Sequence, residues 1–371
     1  MNKINDEQFV PIKKNSYKRG SNENTYRKKS MFISIILILI IVLLLAFTIF
    51  NDKNKNLDGN PIDSDSVIEN NEVQKEVKVI DINSKTRPYA VMINCHNDSL
   101  PQAGLDNAYI VYEIMVEYGI TRMMALFKDI ESDKIGSIRS ARTQYLGYVM
   151  EHDAVYVHAG GAPDALDRIS KERIADIDVD GKYGIRDKKL KRDWEHTLFT
   201  KTSLLEKGIS DKKMRNTTEV DNLLNYSVDE IDLSKYQTVD ANKVSIKYSN
   251  YRTSNYEYDS VNKNYLRSMN SKKNTDLVTG NQYTVKNIIV YGVKYSTYTS
   301  HGYYGYQKIN NIGTGDGYYI TNGKALPIIW SKSSESSQTV YKIKETGEEL
   351  IVNDGNTYIQ IYPTSGKLSI D

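Results

Sequence analysis

Cysteine is almost absent from this sequence, since Cys95 is the only one among 371 residues. A single cysteine excludes an intramolecular disulfide, so a folded domain must be held by a hydrophobic core, which a chain of this length can bury. Cys95 ends the apolar run AVMINC, and we interpret it as a small buried apolar residue. In a strand His96 points to the opposite face from Cys95, so the two residues do not indicate thiol catalysis.

A surplus of charge of one sign is also lacking, because 49 Lys and Arg face 47 Asp and Glu, which leaves a net charge of +2. A nearly neutral chain carries no electrostatic footprint for nucleic acid, so we predict no nucleic-acid partner. The five histidines do not cluster with acids or cysteine at the spacing of metal ligands. We therefore predict no metal site and no cofactor.

Long hydrophobic runs are lacking except at residues 31–50, MFISIILILIIVLLLAFTIF, which carry no charge. About 20 apolar residues in a helix cross about 30 Å of hydrocarbon, so this run predicts one transmembrane helix. Residues 1–30 hold eight Lys or Arg against three acids, which predicts a basic cytoplasmic tail. A cleaved signal peptide is the alternative, but this run is long for one and ends in LAFTIFNDK, a poor cleavage site. The predicted protein is single-pass in the cell membrane, with its C-terminal domains outside.

Composition divides the remaining chain into three parts. Residues 51–86 are polar and mixed in charge, which predicts a flexible linker. Between residues 87 and 235, β-type runs such as YIVYEIMVE alternate with helical ones such as ARTQYLGYVMEH, which predicts a mixed α/β sheet domain. From 236 to 371, short alternating strands are separated by turns such as NGK and NDGN, which predicts a mostly β domain. The predicted fold class is therefore α+β.

The segment KIGSIRSARTQYLGY joins a predicted strand to a predicted helix. The β-type run ends at Arg139, Ser140 is placed to cap the helix, and Arg142 falls in the first helical turn. Free backbone N–H groups and two guanidinium groups at one helix start can bind a phosphate or a carboxylate. We predict an anion site here, with Arg122 helping to orient the two arginines.

A second junction looks similar, because the strand AVYVH is followed by Gly160, Gly161 and a helix that begins at Pro163. If the two strands are parallel, both helix starts open at the same edge of the sheet, where ligand crevices of α/β sheets lie. His158 would then face the crevice, and His196, beside the predicted strand HTLF, is a further candidate. The alternative is that the glycines only make a tight turn.

Glu113 and Glu117 lie four residues apart in YIVYEIMVEYGITR, a spacing that places both on one face of either a strand or a helix. Two carboxylates can supply the acid and the base of a hydrolytic reaction. Four residues of strand span about 13 Å, however, which is too far for a glycosidase pair. Ion pairs with Arg122, Arg139 or Arg142 that hold the sheet together are the favoured alternative.

Several blocks of the chain resemble the YerB-like lipoproteins of Gram-positive bacteria, which are built from an N-terminal and a C-terminal domain of unknown function. The blocks include RPYAVMINCHNDSLPQAGLDNAYIVYEIMVEYGITRMMALF, KIGSIRSARTQY, YVHAGGAP, GYYITNGKALPIIWSK and GNTYIQIYP. The resemblance spans about residues 87–371 and breaks mainly between 171 and 235. Residues that fit the motifs of the family are Arg87, Gln102, Glu113, Glu117, Arg122, Arg139, Ser140, Arg142, His158 and Gly160.

The resemblance implies a location at the cell envelope and a fold, but no activity. The chain departs from the family at Cys95, Thr197 and Asn274, and the run at residues 31–50 replaces the usual lipid anchor. The function that we expect is binding of an anionic ligand, such as a cell-wall polymer or a fragment of one. One alternative is an envelope hydrolase or transferase that uses His158 with Glu113 or Glu117. Another is a non-catalytic scaffold that recruits an envelope protein through the Tyr-rich β domain.

Overall fold

Strands make up most of the regular secondary structure in the computed structural model, which describes residues 76–298 and 305–371. The elements up to residue 212 are β1 (Tyr89–Asn94), β2 (Ile110–Met115), β3 (Thr121–Phe127), β4 (Ile135–Gly136), α1 (Thr143–Glu151), β5 (Val155–His158), α2 (Pro163–Lys171), β6 (Asp176–Asp178), β7 (Ile185–Arg186), β8 (Leu198–Thr200) and α3 (Thr202–Lys212).

The rest of the described chain is built from strands, joined by turns. They are β9 (Asn225–Ser227), β10 (Val239–Asp240), β11 (Lys243–Lys247), β12 (Thr253–Asp259), β13 (Asn264–Met269), β14 (Lys272–Lys273), β15 (Thr284–Val285), β16 (Asn287–Thr297), β17 (Gln307–Asn310), β18 (Gly313–Thr321), β19 (Lys324–Lys332), β20 (Val340–Ile343), β21 (Ile351–Asn353), β22 (Thr357–Pro363) and β23 (Lys367–Ile370). Short 3-10 turns occur at Asn97–Ser99, Leu105–Asn107, Glu117–Gly119 and Trp194–His196.

The described part of the chain is mostly β with a few short helices, so the predicted α+β class is right in its strands and too rich in helix. Predicted strands at 90–95 and 154–161 are present as β1 and β5, and the helices expected after residues 141, 162 and 200 are α1, α2 and α3. The strand predicted over 134–140 is reduced to the two residues of β4, because the following residues leave the ladder and run between two other strands.

One sheet contains twelve of the described strands, in the order β10-β19-β18-β16-β22-β2-β3-β1-β5-β6, with β17 paired to β16 and β20 to β19. We call it the main sheet. Strand β22, near the end of the chain, lies between β16 and β2 and is parallel to both. The predicted ranges 87–235 and 236–371 thus contribute strands to one sheet, and residues 73–371 form one compact unit.

Both faces of the main sheet are covered, which explains why its central strands are continuous apolar runs. In β1, Ala90 and Met92 face the core under α1 and α2. Val91 and Ile93 face the core under α3 and the six-stranded sheet, whose order is β14-β13-β12-β11-β23 with β15 paired to β13. The protein is therefore layered, with the main sheet in the middle.

The carboxyl ends of seven strands lie at one edge of the main sheet, because β1, β2, β5, β6, β16, β19 and β22 run in the same direction. Residues 137–141 cross this edge between β1 and β5. Arg139 N–H donates to the Met92 carbonyl at 3.0 Å, and Ala159 N–H donates to the Arg139 carbonyl at 3.1 Å. The two junctions singled out in the sequence are therefore neighbours, joined by backbone hydrogen bonds.

The folded part begins earlier than the sequence predicts. The backbone N–H groups of Lys78 and Val79 each donate to the Asp354 carboxylate at 2.9 Å, and Ile80 is buried in the core. The end of the predicted linker, from about residue 78 to 86, is therefore packed against the domain.

The tail at 1–30, the apolar run at 31–50 and the linker up to residue 75 lie outside the described residues. No helix within 76–298 and 305–371 has the length and hydropathy to span a membrane.

Candidate functional site

Glu117 is the centre of a buried ion-pair cluster at the carboxyl edge of the main sheet. Arg142 donates from Nε to Glu117 Oε2 at 2.9 Å and from Nη2 to Oε1 at 2.5 Å, and Arg122 Nη2 donates to Oε1 at 2.8 Å. Arg122 also donates to the backbone carbonyl of Ser140, and Arg142 to that of Ala141. We call Glu117, Arg122 and Arg142 the Glu117 cluster. Its side chains are at most 10% exposed.

Electrostatics in the Glu117 cluster follow from burial and pairing. Burial alone would raise the pKa of Glu117, but the hydrogen bond from Arg142 and the charges of both arginines outweigh it and lower the pKa below its usual range. Burial, followed by the charge of Arg142, lowers the pKa of Arg122 to about 10. Both guanidinium groups thus form ion pairs with Glu117. This arrangement is the alternative that the sequence analysis favoured, in which the glutamates and arginines hold the sheet together.

Glu113 lies on the opposite face of the main sheet, toward the six-stranded sheet. Its carboxylate accepts hydrogen bonds from Arg267 Nη2 at 2.9 Å, from the Ser254 hydroxyl at 2.9 Å and from the Thr121 hydroxyl at 2.7 Å. The side chains of Glu113 and Arg267 are both 0% exposed. Glu113 therefore joins the two sheets through a buried ion pair.

The expectation that Glu113 and Glu117 share one face is wrong. Strand β2 ends at Met115, and the 3-10 turn after it contains Tyr118 in a left-handed conformation, with φ of 57°. This turn breaks the alternation of the strand and carries Glu117 to the face of α1, where Arg142 lies. The two carboxylates have separate partners and do not form an acid and base pair.

Arg139 and Ser140 reach the surface, unlike the arginines of the Glu117 cluster. Arg139 Nη1 pairs with Glu195 Oε2 at 3.0 Å, and the Glu195 side chain is 58% exposed. Ser140 does not cap α1 as predicted, because the helix begins two residues later, with Arg142 at its N-cap and no side-chain cap hydrogen bond. Sequence placed the junction correctly but not the capping residue.

His158 is buried at the end of β5, with Nδ1 2.9 Å from the Gly160 carbonyl and Nε2 3.4 Å from Asp176 Oδ2. Gly160 has a φ of +57° and open space where a Cβ would be, and its N–H donates to Asp178. A Cβ on Gly161 would lie 2.7 Å from Leu166 Cδ2, so this glycine allows α2 to pack closely. The second junction is thus a tight turn that is fixed by β6.

An open cleft of about 830 Å³ lies just beyond these junctions. Its walls are the N-terminal turns of α1 and α2 on one side, at Thr143, Gln144 and Asp164, and the paired strands β16 and β17 on the other. The N-cap residue of α1 makes no side-chain hydrogen bond, so first-turn N–H groups and the positive end of this helix dipole lie at the cleft. In α2 the Asp164 carboxylate occupies the first turn and accepts from the Ala165 N–H.

Two lysines with no ion-pair partner among the described residues line the opposite wall, Lys294 on β16 and Lys308 on β17. Lys294 pairs in register with Asn310, and Lys308 with Ser296, so both lysines lie on the same face as diagonal neighbours. The two acids nearby are already engaged. Glu335 pairs with Arg168 at 2.8 Å, and Asp164 accepts from the Ala165 N–H at 2.9 Å.

The structure brings together three residues that the sequence analysis did not group, the partly exposed His96, the exposed Asp98 and the buried His196. One ligand atom from each lies within 4.8 Å of the others, and the imidazole rings stack with centroids 5.1 Å apart. Burial lowers the pKa of His196 below its usual range. The pattern in the sequence that could have indicated this group is His-x-Asp at 96–98. No sequence pattern links these residues to His196, which lies 100 residues later.

Other buried polar groups are structural. Burial raises the pKa of Cys95 to about 12, so the thiol is protonated and inert, as interpreted from the sequence. Glu151 in α1 accepts from Lys332 Nζ at 2.7 Å and from the Tyr112 hydroxyl at 2.6 Å. This second buried pair joins α1 to β19, and the sequence carried no signal for it.

Comparisons with known proteins identify the class. Residues 76–215 match the family model described as the N-terminal domain of a protein of unknown function, DUF3048, and residues 244–359 match the model of the DUF3048 C-terminal domain. The chain therefore carries both domains of this family in order and belongs with the YerB-like proteins.

The relatives agree with this assignment. The protein named "Putative lipoprotein YerB" from Bacillus subtilis (strain 168) is 27% identical over 299 residues, which cover 77% of this chain and 84% of the relative. The crystal structure of the YerB protein from Bacillus subtilis aligns with a TM-score of 0.65 at 25% identity and covers 76% of this chain and 94% of that one. Fold and family are thus established, and the molecular function is not.

Proposed function

We propose that this protein binds an anionic polymer of the cell envelope in the cleft between α1, α2 and the β16–β17 pair. The observation that carries the proposal is the pair Lys294 and Lys308, which face the N-terminal turn of α1, with no side-chain cap, across an open cleft. Lysine side chains and helix N-termini both attract phosphate and carboxylate groups.

The charges around the cleft support an anion over a cation. The charged residues that line the cleft are three cations, Arg168, Lys294 and Lys308, and two acids, Asp164 and Glu335, which leaves a net charge of +1. Arg168 pairs with Glu335, whereas Lys294 and Lys308 form no ion pair among the described residues. An open groove lined by separated cations suits a flexible polymer with repeated anionic groups better than one small anion, which would need a closed set of donors.

Binding is favoured over hydrolysis or group transfer because the residues considered for catalysis are already saturated. Glu113 accepts from three donors inside the protein, and Glu117 is held by two arginines. His158 is 1% exposed. None of these three groups faces the cleft. In this proposal the Glu117 cluster and His158 fix the backbone of the two junctions, while Arg139, Ser140 and Gly160 lie at the surface where a long ligand can reach them.

The proposal includes the location inferred from the sequence. The apolar run at 31–50 and the basic residues before it support a single-pass membrane protein with its folded part outside the cell. A polymer of the cell envelope is then within reach of the cleft.

The test is binding of the purified full-length chain to poly(glycerol phosphate) at low and at physiological salt. The variant K294E/K308E should lose affinity by at least about tenfold, since it replaces two attractions of about 0.5–1 kcal/mol each with repulsions. The matched control is K272E/K273E, which changes the net charge equally on the exposed strand β14.

A selective loss in K294E/K308E, with the control near wild type, supports the cleft. Equal losses in both variants mean that only net charge is sensed and overturn the proposal. Absence of binding by the wild-type chain to this polymer and to a carboxylate polymer overturns it as well.

A further inference from the structure

We infer that His96, Asp98 and His196, together with Glu195, form a site for a divalent transition-metal ion of the zinc class. The inference is independent of the proposed polymer cleft. It rests on a set of nitrogen and carboxylate ligands that the fold gathers from two distant loops, at the surface end of β1 and before β8.

The ligand atoms are close enough for one ion with small side-chain adjustments. One atom from each of His96, Asp98 and His196 lies within 4.8 Å of the others. His196 Nε2 is 3.5 Å from Glu195 Oε1, and Glu195 uses its other oxygen, Oε2, to bind Arg139. Two metal bonds of about 2.0–2.2 Å to one ion place their ligand atoms about 3–4 Å apart, so the observed spacing needs only modest contraction.

The elements that carry the ligands are fixed, while the ligand tips are free to adjust. His96 is the N-cap of the 3-10 turn Asn97–Ser99, and its Nδ1 accepts from the Asp98 N–H at 3.3 Å. The His96 side chain is 43% exposed and that of Asp98 is 69% exposed. His196 is buried and held by Asn94, so it is the rigid member around which the two exposed side chains can close.

Two imidazoles and carboxylates define the class of ion. Imidazole nitrogen with carboxylate oxygen suits zinc and its neighbours in the first transition row, whereas calcium and magnesium prefer oxygen ligands alone.

Asn94 makes the site a weak and exchangeable one. Asn94 Oδ1 accepts from the His96 backbone N–H at 2.9 Å, so its Nδ2 faces His196 Nδ1 at 2.9 Å and donates to it. His196 then carries its proton on Nε2. When a metal takes Nε2, that proton leaves and Nδ1 is protonated instead, which turns the contact with Asn94 into a clash of two donors. An acceptor at position 94 would remove this penalty.

The substitution Asn94→Asp supplies that acceptor. One aspartate oxygen can keep the bond from the His96 N–H while the other accepts from protonated His196 Nδ1, the arrangement common beside metal-bound histidines. We expect N94D to bind Zn²⁺ at least about tenfold more tightly than the wild-type chain. A purely adventitious surface site would not respond to this buried residue.

The experiment is calorimetric titration of the full-length chain with ZnCl₂, with a crystal structure at the zinc absorption edge to locate the ion. The variants H96N and D98N should each weaken binding by at least about tenfold, since each removes one ligand. H96N keeps a side-chain acceptor for the Asp98 N–H, so the turn is retained. The control D221N removes an exposed acid far along the chain and should bind as the wild type does.

Tighter binding in N94D, weaker binding in H96N and D98N, and an anomalous peak between the two imidazoles support the site. Zinc affinity that is unchanged in H96N and D98N, or an anomalous peak elsewhere, overturns it. If N94D fails to fold, the two exposed variants and the location of the ion still decide.

Discussion

The two arginines of the first junction provide the sharpest test, because the structure gives them opposite roles. Arg142 donates twice to Glu117 from a nearly buried position, whereas Arg139 forms one exposed pair with Glu195. Removing one partner of a buried pair costs about 3–5 kcal/mol, and Arg122 still neutralises Glu117, so Arg142→Met should lower the free energy of unfolding by about 3 kcal/mol. Arg139→Met should lower it by less than about 1 kcal/mol.

The loss of unfolding free energy in Arg142→Met should depend on pH in a definite direction. The pKa of Glu117 is lower in the folded protein than in the unfolded chain, where it is about 4.3. A depressed carboxyl pKa gives stability that is fully present above the unfolded value and is lost as the pH falls through the folded value. The gap between the wild-type chain and Arg142→Met should therefore be largest near pH 7 and shrink below about pH 4.

Equilibrium unfolding in urea at pH 7 and at pH 3.5 measures both effects. Two results would refute the assignment of Arg142 as a structural residue. One is a difference of less than about 1 kcal/mol between the unfolding free energies of Arg142→Met and Arg139→Met at pH 7. The other is a gap between the wild-type chain and Arg142→Met that does not narrow at the lower pH. The sequence-based prediction that Arg142 binds a ligand would then be favoured.

Two further predictions concern close packing and the single thiol. A Cβ on Gly184 would lie 2.3 Å from the Val179 carbonyl oxygen. Gly184→Ala should therefore lower the free energy of unfolding, measured by thermal denaturation, by about 3 kcal/mol. Gly160→Ala, which has open space but a φ of +57°, should cost only about 1 kcal/mol, and equal losses would contradict this order. Because the pKa of Cys95 is about 12, a thiol reagent at pH 8 should leave it unmodified in the native protein and label it in urea. Rapid labelling without denaturant would show that this core is open.

Sequence patterns identified the local elements of the site well. The predicted helices of the two junctions are present as α1 and α2, and Pro163 stands at the first position of its helix. These features depend on residues a few positions apart, which is the range over which periodicity and capping signals act. Motif residues such as Glu117 and Arg142 were also found to lie together.

Partners across the fold could not be predicted. Arg267 pairs with Glu113 from 154 residues away, and Lys332 pairs with Glu151 from 181 residues away. Nothing in a single sequence joins such positions, so Glu113 was grouped with Glu117, its neighbour in the chain. The 3-10 turn Glu117–Gly119, which ends the strand alternation and contains Tyr118 in a left-handed conformation, likewise has no signal in a run that is otherwise typical of a strand.

The position of β22 sets when this protein can finish folding. Strand β2 emerges early in synthesis, but one of its two edges has no partner until residues 357–363, close to the end of the chain, arrive between it and β16. Pairing over such separations is slow, and an unpaired apolar edge invites association with other chains. The apolar edge of β2 is therefore exposed until β22 is made. A stop codon that removes only the final fifteen residues should leave an aggregating fragment, although every strand before them is intact.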